Sequence, residues 1–218
     1  MTGIFMRDAI KYLLFDLDNT LYSSRYGLED NVSMRIREFV SALLGITKED
    51  VRAIRKANAR QYGTCLEWLM AEKGFTDTET YLAAVHPADE ADSLPRDDKL
   101  REMLAGIPVP KAILTNSPRE HADLILNKLG IADLFTDIFD IRRYGFRGKP
   151  QKEVFDNTLQ SLMVRADEVL FIDDNPHNVE VFINLGGNGL LFDENDVYAD
   201  CALPRIRGLG EIARYIKY

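Results

Sequence analysis

The stretch F-D-L-D-N-T, Phe15 to Thr20, sets the architecture of this chain because it joins an apolar run to a pair of carboxylates. The run over residues 12–15 is short and apolar, which is typical of a strand buried in a parallel sheet. On an extended segment Asp16 and Asp18 leave the same face, because side chains alternate along a strand. Two carboxylates so placed repel each other unless a cation or a shared proton lies between them. The stretch therefore predicts a strand that ends in an acidic site.

Three later segments also end in chemically active side chains: I-L-T-N-S from Ile113 to Ser117, G-K-P from Gly148 to Pro150, and F-I-D-D-N from Phe171 to Asn175. The carboxyl ends of parallel strands meet at one edge of a sheet, and ligands bind there. We therefore expect a hydroxyl, an ammonium group and a second carboxylate pair to lie beside the first pair. This set of groups suits phosphoryl transfer with a hard divalent cation.

From about residue 91 onward, apolar runs alternate with amphipathic segments. Strands are predicted at 111–114, 138–141, 169–172 and 189–192, and helices are predicted to begin at Pro95, Ser117, Pro150 and Pro176. Ser117-Pro-Arg-Glu120 has the pattern of a capping box, so Ser117 is predicted to cap its helix. The alternation predicts an α/β fold, a doubly wound parallel sheet with right-handed crossovers.

Residues 29–84 differ from the rest of the chain because their apolar side chains follow helical spacing. Thr47-Lys-Glu-Asp50 and Thr76-Asp-Thr-Glu79 have the capping-box pattern of helix starts. The pattern predicts roughly four helices and no strand. We therefore expect an α/β core of residues 1–21 and 91–218, with a small α-helical cap of residues 22–90 inserted after the first strand.

Composition argues against several classes of protein. The net charge of -8 over 218 residues disfavours a nucleic acid polymer or an anionic membrane as the partner. Cys65 and Cys201 lack metal-site spacing and indicate a reduced, cytoplasmic protein. The beginning of the chain has no long apolar segment, and no run approaches about 18 apolar residues, so neither secretion nor membrane spanning is predicted.

The paired carboxylates suggest a division of labour. One can attack phosphorus, and the other, held protonated, can supply a proton to the leaving oxygen. Mg²⁺ accepts carboxylate oxygens and usually keeps several waters and a phosphate oxygen. Thr115 and Asn116, next to free helix amides, resemble a phosphate cradle, and Lys149 can neutralise phosphate charge.

Each motif taken alone has an ordinary structural alternative. The alternatives are turn or cap aspartates for Asp16 and Asp18, a strand-end threonine for Thr115, a solvated lysine for Lys149, and helix capping for Asp173 and Asp174. All four motifs nevertheless follow one another at the ends of successive predicted strands. That order favours one shared site over four unrelated features.

Together the four segments resemble the D-x-D-x-T, hydrophobic-T/S, K-P and D-D motifs of the haloacid dehalogenase superfamily of phosphohydrolases, over nearly the full chain. The helical insertion resembles the small α-helical cap of that superfamily. The resemblance implies that Asp16 is the nucleophile and Asp18 the general acid/base. Haloalkanoate dehalogenases lack an aspartate at the position of Asp18, so its presence favours phosphate chemistry.

The same resemblance implies roles for the other motif residues. Those that would hold the phosphoryl group or support the site are Thr115, Lys149, Thr20 and Asn116. The implied cofactor is Mg²⁺. Its implied ligands are the Asp16 carboxylate, the Asp18 backbone carbonyl and Asp174, with Asp173 acting directly or through water.

A finer resemblance concerns D-N-T-L-Y, Y-G at Tyr62-Gly63, D-S-L-P, L-G-I-A-D-L-F and F-I-D-D. Together these segments resemble the pyrimidine 5′-nucleotidase branch of the superfamily. The segment 143–147 departs from that branch and leaves the substrate open. Candidates for substrate contact are Tyr22, Arg25 and Tyr62, each with a flexible-loop or core-edge role as the alternative.

The three histidines are given mostly structural roles at this stage. His86 and His121 are expected at the surface or at helix caps. His177 follows the second acid pair closely, so it either caps a helix or lines the site.

The sequence thus predicts a Mg²⁺-dependent phosphatase that acts on a small phosphomonoester through an aspartyl-phosphate, most simply a pyrimidine nucleoside 5′-monophosphate. The alternatives are a sugar-phosphate phosphatase, a phosphomutase of the same fold, and a non-catalytic protein that binds phosphorylated metabolites. The expected partner is the small-molecule substrate, and the chain is expected to be a monomer or a homodimer.

Overall fold

The computed structural model describes residues 10–58 and 61–216. Within them lies a six-stranded sheet in the order β3-β2-β1-β4-β5-β6, with every neighbouring pair parallel. The strands are β1 (Tyr12–Phe15), β2 (Lys111–Leu114), β3 (Asp137–Phe139), β4 (Val169–Asp173), β5 (Asn188–Phe192) and β6 (Arg205–Ile206). This order confirms the predicted doubly wound α/β fold.

The central strand β1 is apolar on both faces because helices cover both sides of the sheet. Leu13 and Phe15 belong to one hydrophobic cluster, whereas Leu14 between them belongs to a second cluster. All three side chains are fully buried. Such two-sided burial explains why β1 reads as a continuous apolar run and not as an alternating one.

The insertion between β1 and β2 is helical in its described residues. Its helices are α1 (Leu28–Leu44), α2 (Lys48–Asn58), α3 (Cys65–Lys73) and α4 (Thr78–Val85). The predicted capping box at the start of α2 is present, because Thr47 and Asp50 exchange hydrogen bonds between side chain and backbone. A third hydrophobic cluster is built mostly from this segment and includes Trp68 and Tyr81. The boundaries at residues 22 and 90 stay predictions.

Four further helices pack on the sheet: α5 (Asp98–Ala105), α6 (Arg119–Leu129), α7 (Lys152–Leu162) and α8 (Pro176–Asn184). Their order along the chain is as predicted, but α7 begins at Lys152 and not at Pro150, because Gln151 is the residue that precedes its first turn. Because α8 begins with Pro176 after the cap Asn175, its start agrees with the prediction.

Several predicted boundaries are wrong for local reasons. The first helix of the core begins at Asp98 and not at Pro95, because Asp97 is the residue whose side chain accepts the Leu100 N–H. Similarly, Asp77 caps α4 in place of Thr76. The strand predicted at 138–141 ends at Phe139 and is followed by a 3₁₀ helix, Ile141–Tyr144.

The carboxyl-terminal part of the fold lies beyond the predicted elements. Strand β6 and the 3₁₀ helix Leu209–Tyr215 have no counterpart in the sequence prediction. Residues 1–9 of the predicted core and residues 59–60 of the predicted insertion lie outside the described residues. Across the described part of the chain, we find no helix with the length and apolar character needed to span a bilayer.

Candidate active site

The carboxyl edge of the sheet carries the predicted cluster of charged side chains. Lys149 Nζ donates to Asp16 Oδ1 at 2.6 Å and to Asp173 Oδ2 at 2.7 Å. The lysine is buried, as are both carboxylates. A cavity of about 510 Å³ opens on these groups and is also lined by Asp18 and Thr115. The structure therefore brings the four predicted segments together.

The backbone of Lys149 is fixed by Asn116, which bonds both its N–H and its carbonyl group. The Asn116 carboxamide accepts from Lys149 N–H at 2.7 Å and donates to Lys149 O at 3.0 Å. A Cβ at Gly148 would lie 2.7 Å from Asn116 Oδ1, so only glycine permits this close approach. Asn116 thus lies where the sequence predicts a supporting residue.

The two carboxylates of the second acid pair, Asp173 and Asp174, differ in their hydrogen bonding. Asp173 accepts from Asn175 N–H at 2.8 Å and from Asn178 Nδ2 at 3.0 Å, in addition to Lys149. Asp174 lines the cavity, and its carboxyl group makes no hydrogen bond or ion pair with the described residues. Asp174 is therefore the member of the pair with free ligand atoms.

The carboxylates of Asp16, Asp173 and Asp174 fit a divalent cation. Each offers an oxygen, and these oxygens lie within 4.8 Å of one another. Burial raises the pKa of Asp174 to about 9, and repulsion from the other two adds to the rise. Burial also raises the pKa of Asp16 to about 7, against the lowering effect of Lys149. A hard cation with oxygen ligands would relieve this repulsion.

Asp18 lies in a different environment from Asp16. Its Oδ1 accepts from Tyr22 Oη at 2.5 Å and is 2.7 Å from His121 Nε2, while its Oδ2 accepts from Ser117 Oγ at 2.9 Å. Burial acts against the charged form, yet His121 and these hydrogen bonds lower the pKa of Asp18 far below its usual range. These contacts favour the ionised form of Asp18, in contrast to the expectation that its carboxyl group is held protonated.

The location of His121 differs from the one predicted from the sequence. It lies in α6 and is buried, not at the surface or at a cap. Its Nδ1 is 2.5 Å from Glu90 Oε1, and its Nε2 faces Asp18. Burial opposes the charged form, but Asp18 and Glu90 together raise the pKa of His121 to about 10. An imidazolium between two carboxylates is the consistent protonation state.

The chain of contacts continues from His121 into the helical insertion. Glu90 also lies 3.2 Å from His86 Nδ1 and accepts from Arg35 Nη2 at 2.6 Å. Arg35 belongs to α1, and its Nε donates to the carbonyl of Val85 at the end of α4. His86 is thus half-buried in this network.

Ser117 does not cap its helix as predicted. The residue before α6 is Pro118, which makes no side-chain capping bond, and the Ser117 hydroxyl donates to Asp18. The Ser117 N–H donates to Thr115 Oγ1 at 3.0 Å. Thr115 is buried and lines the cavity. Thr20, also buried, donates to Asp16 Oδ2 at 3.2 Å.

The three predicted substrate contacts have separate locations. Tyr22 is buried and its hydroxyl holds Asp18. Tyr62 lines a larger neighbouring cavity, with its hydroxyl bonded to Glu72. Arg25 is exposed, contacts Tyr26 and lines a third cavity, so the structure does not bring it to Asp16.

Two further residues complete the surroundings. His177 lines the larger cavity and lies 3.5 Å from Glu180. Glu29 of α1 lines the cavity over Asp16, a position that no motif indicated. Burial raises the pKa of Glu29 to about 8, and the Asp18 carboxylate adds to the rise.

Comparison with protein families assigns residues 10–186 to the model described as haloacid dehalogenase-like hydrolase. The match covers most of the chain. The chain belongs to the haloacid dehalogenase-like hydrolase family. The motif resemblance seen in the sequence is therefore confirmed at the level of the family, but not at the level of the pyrimidine 5′-nucleotidase branch.

Curated relatives include phosphate-handling proteins. The chain is 29% identical over 197 residues to phosphate metabolism protein 8 of Saccharomyces cerevisiae, covering 82% of this chain and 60% of that protein. It therefore spans less than two thirds of the length of that relative. It is 29% identical over 183 residues to phosphoglycolate phosphatase of Rhodospirillum rubrum, covering 78% of this chain and 73% of that protein. Family membership with phosphatase relatives supports phosphatase activity.

A solved structure with the same fold is a predicted phosphoglycolate phosphatase from Haemophilus somnus. The TM-score is 0.63 at 18% identity, over 98% of this chain and 99% of the other. At this identity the likeness concerns the fold alone.

Proposed function

We propose that this chain is a Mg²⁺-dependent phosphatase that hydrolyses small phosphomonoesters through a phosphoryl group carried on Asp16. The observation that carries the proposal is the contact of Asp16 with Lys149 at the floor of a cavity that Asp174 also lines. A carboxylate beside a fixed ammonium group combines a nucleophile with compensation for phosphate charge.

The proposed reaction uses the two aspartates in turn. An Asp16 oxygen attacks phosphorus, and the leaving oxygen takes a proton from the pair formed by Asp18 and His121. Because Nε2 of His121 is 2.7 Å from Asp18 Oδ1, the histidine can supply that proton through the carboxylate. In the second half, water attacks the aspartyl-phosphate and returns a proton to the same pair. The hydroxyl groups of Tyr22 and Ser117 donate to the Asp18 carboxylate and would hold its orientation during both steps.

The metal would be held by the Asp16 carboxylate, the Asp18 backbone carbonyl and Asp174. We assign Asp173 a role through water or positioning, because both of its oxygens already accept hydrogen bonds. When bound, Mg²⁺ would supply charge neutralisation and orientation of a phosphate oxygen. Lys149, Thr115 and the adjacent helix amides would bind the remaining phosphate oxygens.

For the substrate, we propose a small metabolite, with pyrimidine nucleoside 5′-monophosphates as the first choice. The support is the resemblance of the D-N-T-L-Y and related segments to that branch. Other small phosphomonoesters are the second candidate, since a relative is named phosphoglycolate phosphatase. A cytoplasmic location and a monomeric or homodimeric state stay predictions from the sequence.

The test is phosphate release from a panel of nucleotides and sugar phosphates, with Mg²⁺ and with excess chelator. We expect turnover with Mg²⁺, none with chelator, and inhibition by Ca²⁺. Calcium accepts more ligands at longer distances, so it would draw the Asp16 carboxylate away from phosphorus. Transfer of phosphate between sugar hydroxyls, in place of release, would show a phosphomutase. Undiminished activity in chelator would refute the metal site.

A further inference from the structure

A larger cavity of about 1140 Å³ adjoins the cavity over Asp16. The two share part of their walls, including Arg55, Thr64, Asn116 and Lys149. A substrate whose phosphoryl group lies on Lys149 therefore has a continuous path into the larger space. The walls of that space determine what the rest of the substrate can be.

One wall of the larger cavity carries an accumulation of positive charge. It is formed by α1 and α2, and its basic side chains are Arg37, Arg52, Arg55 and Lys56. We call these four residues the basic wall. Glu180 is the one carboxylate among the described residues that line the cavity, and it lies beside His177.

None of the basic wall residues forms an ion pair with a carboxylate of the described chain, although the protein carries a net charge of -8. Most basic side chains elsewhere are paired, as in Arg101–Asp133 and Arg205–Asp193. Lys48, on the same helix α2, pairs with Glu38. Within the described residues, four cations without an ion pair therefore lie together beside the candidate active site.

The spacing of these cations within α2 is unfavourable for the isolated helix. Residues 52, 55 and 56 are separated by three and four positions, so their like charges lie on one helix face. Like charges at this spacing repel and destabilise a helix. An anion bound in the cavity would remove that repulsion.

Arg55 lies at the junction between the two cavities. It is half-buried, and its Nη1 donates to Ser33 Oγ at 2.8 Å, which fixes one side of the guanidinium. The same Nη1 also donates to the Ser33 carbonyl at 3.4 Å, whereas Nε and Nη2 make no hydrogen bond with the described residues. A guanidinium presents parallel N–H groups that match the oxygens of a carboxylate or a phosphate.

We propose that the basic wall binds a second anionic group of the substrate, a carboxylate or a phosphate that is not the one hydrolysed. The inference rests on the proposed phosphatase function and deepens it, because it adds charge as a determinant of the substrate: UMP and CMP have neutral bases and would leave the basic wall without a partner. Within any scaffold, the enzyme then prefers the member that carries the additional anion. The scissile phosphate binds to Lys149, and the second anion binds to Arg55 and its neighbours.

The test uses matched substrates that differ only in the second anion. For a carboxylate, 3-phosphoglycerate is compared with glycerol 3-phosphate; for a phosphate, fructose 1,6-bisphosphate is compared with fructose 6-phosphate. We expect kcat/KM to be at least about tenfold higher for the more anionic member of one pair, as a charge-assisted hydrogen bond would provide. The pair that shows the larger ratio identifies the anion.

Variants locate the effect. In the double variant R52Q/K56Q, and separately in R55Q, the ratio within the responsive pair should fall to about one, mainly through KM for the more anionic member. The control K48Q lies on the same helix but outside the cavity, and it should keep the wild-type ratio. Thermal unfolding of each variant identifies any loss of folding.

The outcomes separate the two levels of the proposal. Ratios near one in both pairs for an active wild-type enzyme would overturn the basic wall inference but leave the phosphatase intact. A high ratio that persists in R52Q/K56Q and R55Q would also overturn it. If wild type releases phosphate from no substrate, the proposed function fails. Calorimetric titration of D16N with each pair then decides the inference, which requires tighter binding of the more anionic members.

Discussion

Asp16 and Asp18 are two positions apart, yet different parts of the molecule hold them. Asp16 contacts Lys149 and Thr20, which belong to the edge of the sheet. Asp18 contacts His121, and through Glu90 it is connected to the helical insertion. One loop thus places the proposed nucleophile, Asp16, beside the sheet and the proposed proton-transfer group, Asp18, next to contacts with the helical insertion.

The charged side chains around Asp16 and those of the basic wall also differ in how their charge is compensated. Around Asp16 the charges are paired within the buried site, because Lys149 forms ion pairs with both Asp16 and Asp173. On the basic wall no cation forms an ion pair with the described residues, although Arg55 shares a cavity with Glu29 and lowers the pKa of that carboxyl. Fixed compensation suits the reacting group, which needs one geometry. Unpaired charge suits recognition, because the ligand supplies the counter-ion.

The largest effect is expected for Asp16→Asn. An amide cannot attack phosphorus, so turnover should fall to background, and loss of a charged ligand should weaken Mg²⁺ binding. Phosphate release and calorimetric Mg²⁺ titration measure the two effects. The control is Asp123→Asn, which removes an exposed carboxylate paired with Arg119. Residual activity in Asp16→Asn above that of a no-enzyme blank would contradict the assignment.

Asp18→Asn should have the next largest effect. Loss of the proton-transfer group should lower kcat by about 10²–10⁴-fold. Mg²⁺ affinity should stay close to wild type, since the proposed ligand there is the backbone carbonyl. Equal loss of metal affinity in the Asp16 and Asp18 variants would remove the distinction between the two aspartates.

His121→Asn should lower kcat by roughly 10–100-fold, because it removes one charged hydrogen bond to Asp18. The loss should be greatest for alkyl phosphates, whose leaving oxygen needs a proton, and smallest for an aryl phosphate with an acidic leaving group. KM should change little. His177→Asn is the matched control, since His177 is half-buried, contacts Glu180 and makes no hydrogen bond or ion pair with Asp18. An equal loss of kcat for all leaving groups would contradict a role in proton transfer and would indicate that His121 serves only in packing.

Tyr62→Ala should have the smallest effect, a few-fold rise in KM for nucleotides, as expected for loss of a partly solvated contact. A minimal aryl phosphate should react as before. UMP and CMP should lead the nucleotides if the branch resemblance holds. Arg25→Ala, which lies at a separate cavity, is the control. If hexose phosphates or purine nucleotides exceed UMP and CMP by tenfold or more, the nucleotidase assignment is wrong and the phosphatase remains.

The sequence predicted the sheet and the residues around Asp16 because that information is local. Each motif follows directly on an apolar strand, and parallel strands bring their carboxyl ends together whatever the loop lengths. Asn116 lies two residues after the end of β2, where its carboxamide accepts from the Lys149 N–H.

The contacts around Asp18 could not be predicted from the sequence, because they depend on the packing of segments that lie far apart in the chain. His121 lies 103 positions from Asp18 and Glu90 lies 31 positions from His121, so no spacing rule connects them. Ser117 was misassigned because a serine before a helix has the same pattern whether its hydroxyl caps the helix or bonds elsewhere. The one available indication was a histidine in the first turns of a helix that follows a motif strand.

The central claim, a phosphoryl group carried on Asp16, is tested most directly by mass spectrometry of acid-quenched enzyme. Wild-type protein is mixed with Mg²⁺ and substrate, quenched within one turnover, digested, and the peptide containing Asp16 is sequenced. We predict a mass increase of one phosphoryl group on Asp16 in the wild type, accumulating further in Asp18→Asn, whose intermediate should hydrolyse slowly. Rapid phosphate release with no modified Asp16 peptide in either protein, or modification on another residue, would contradict the account.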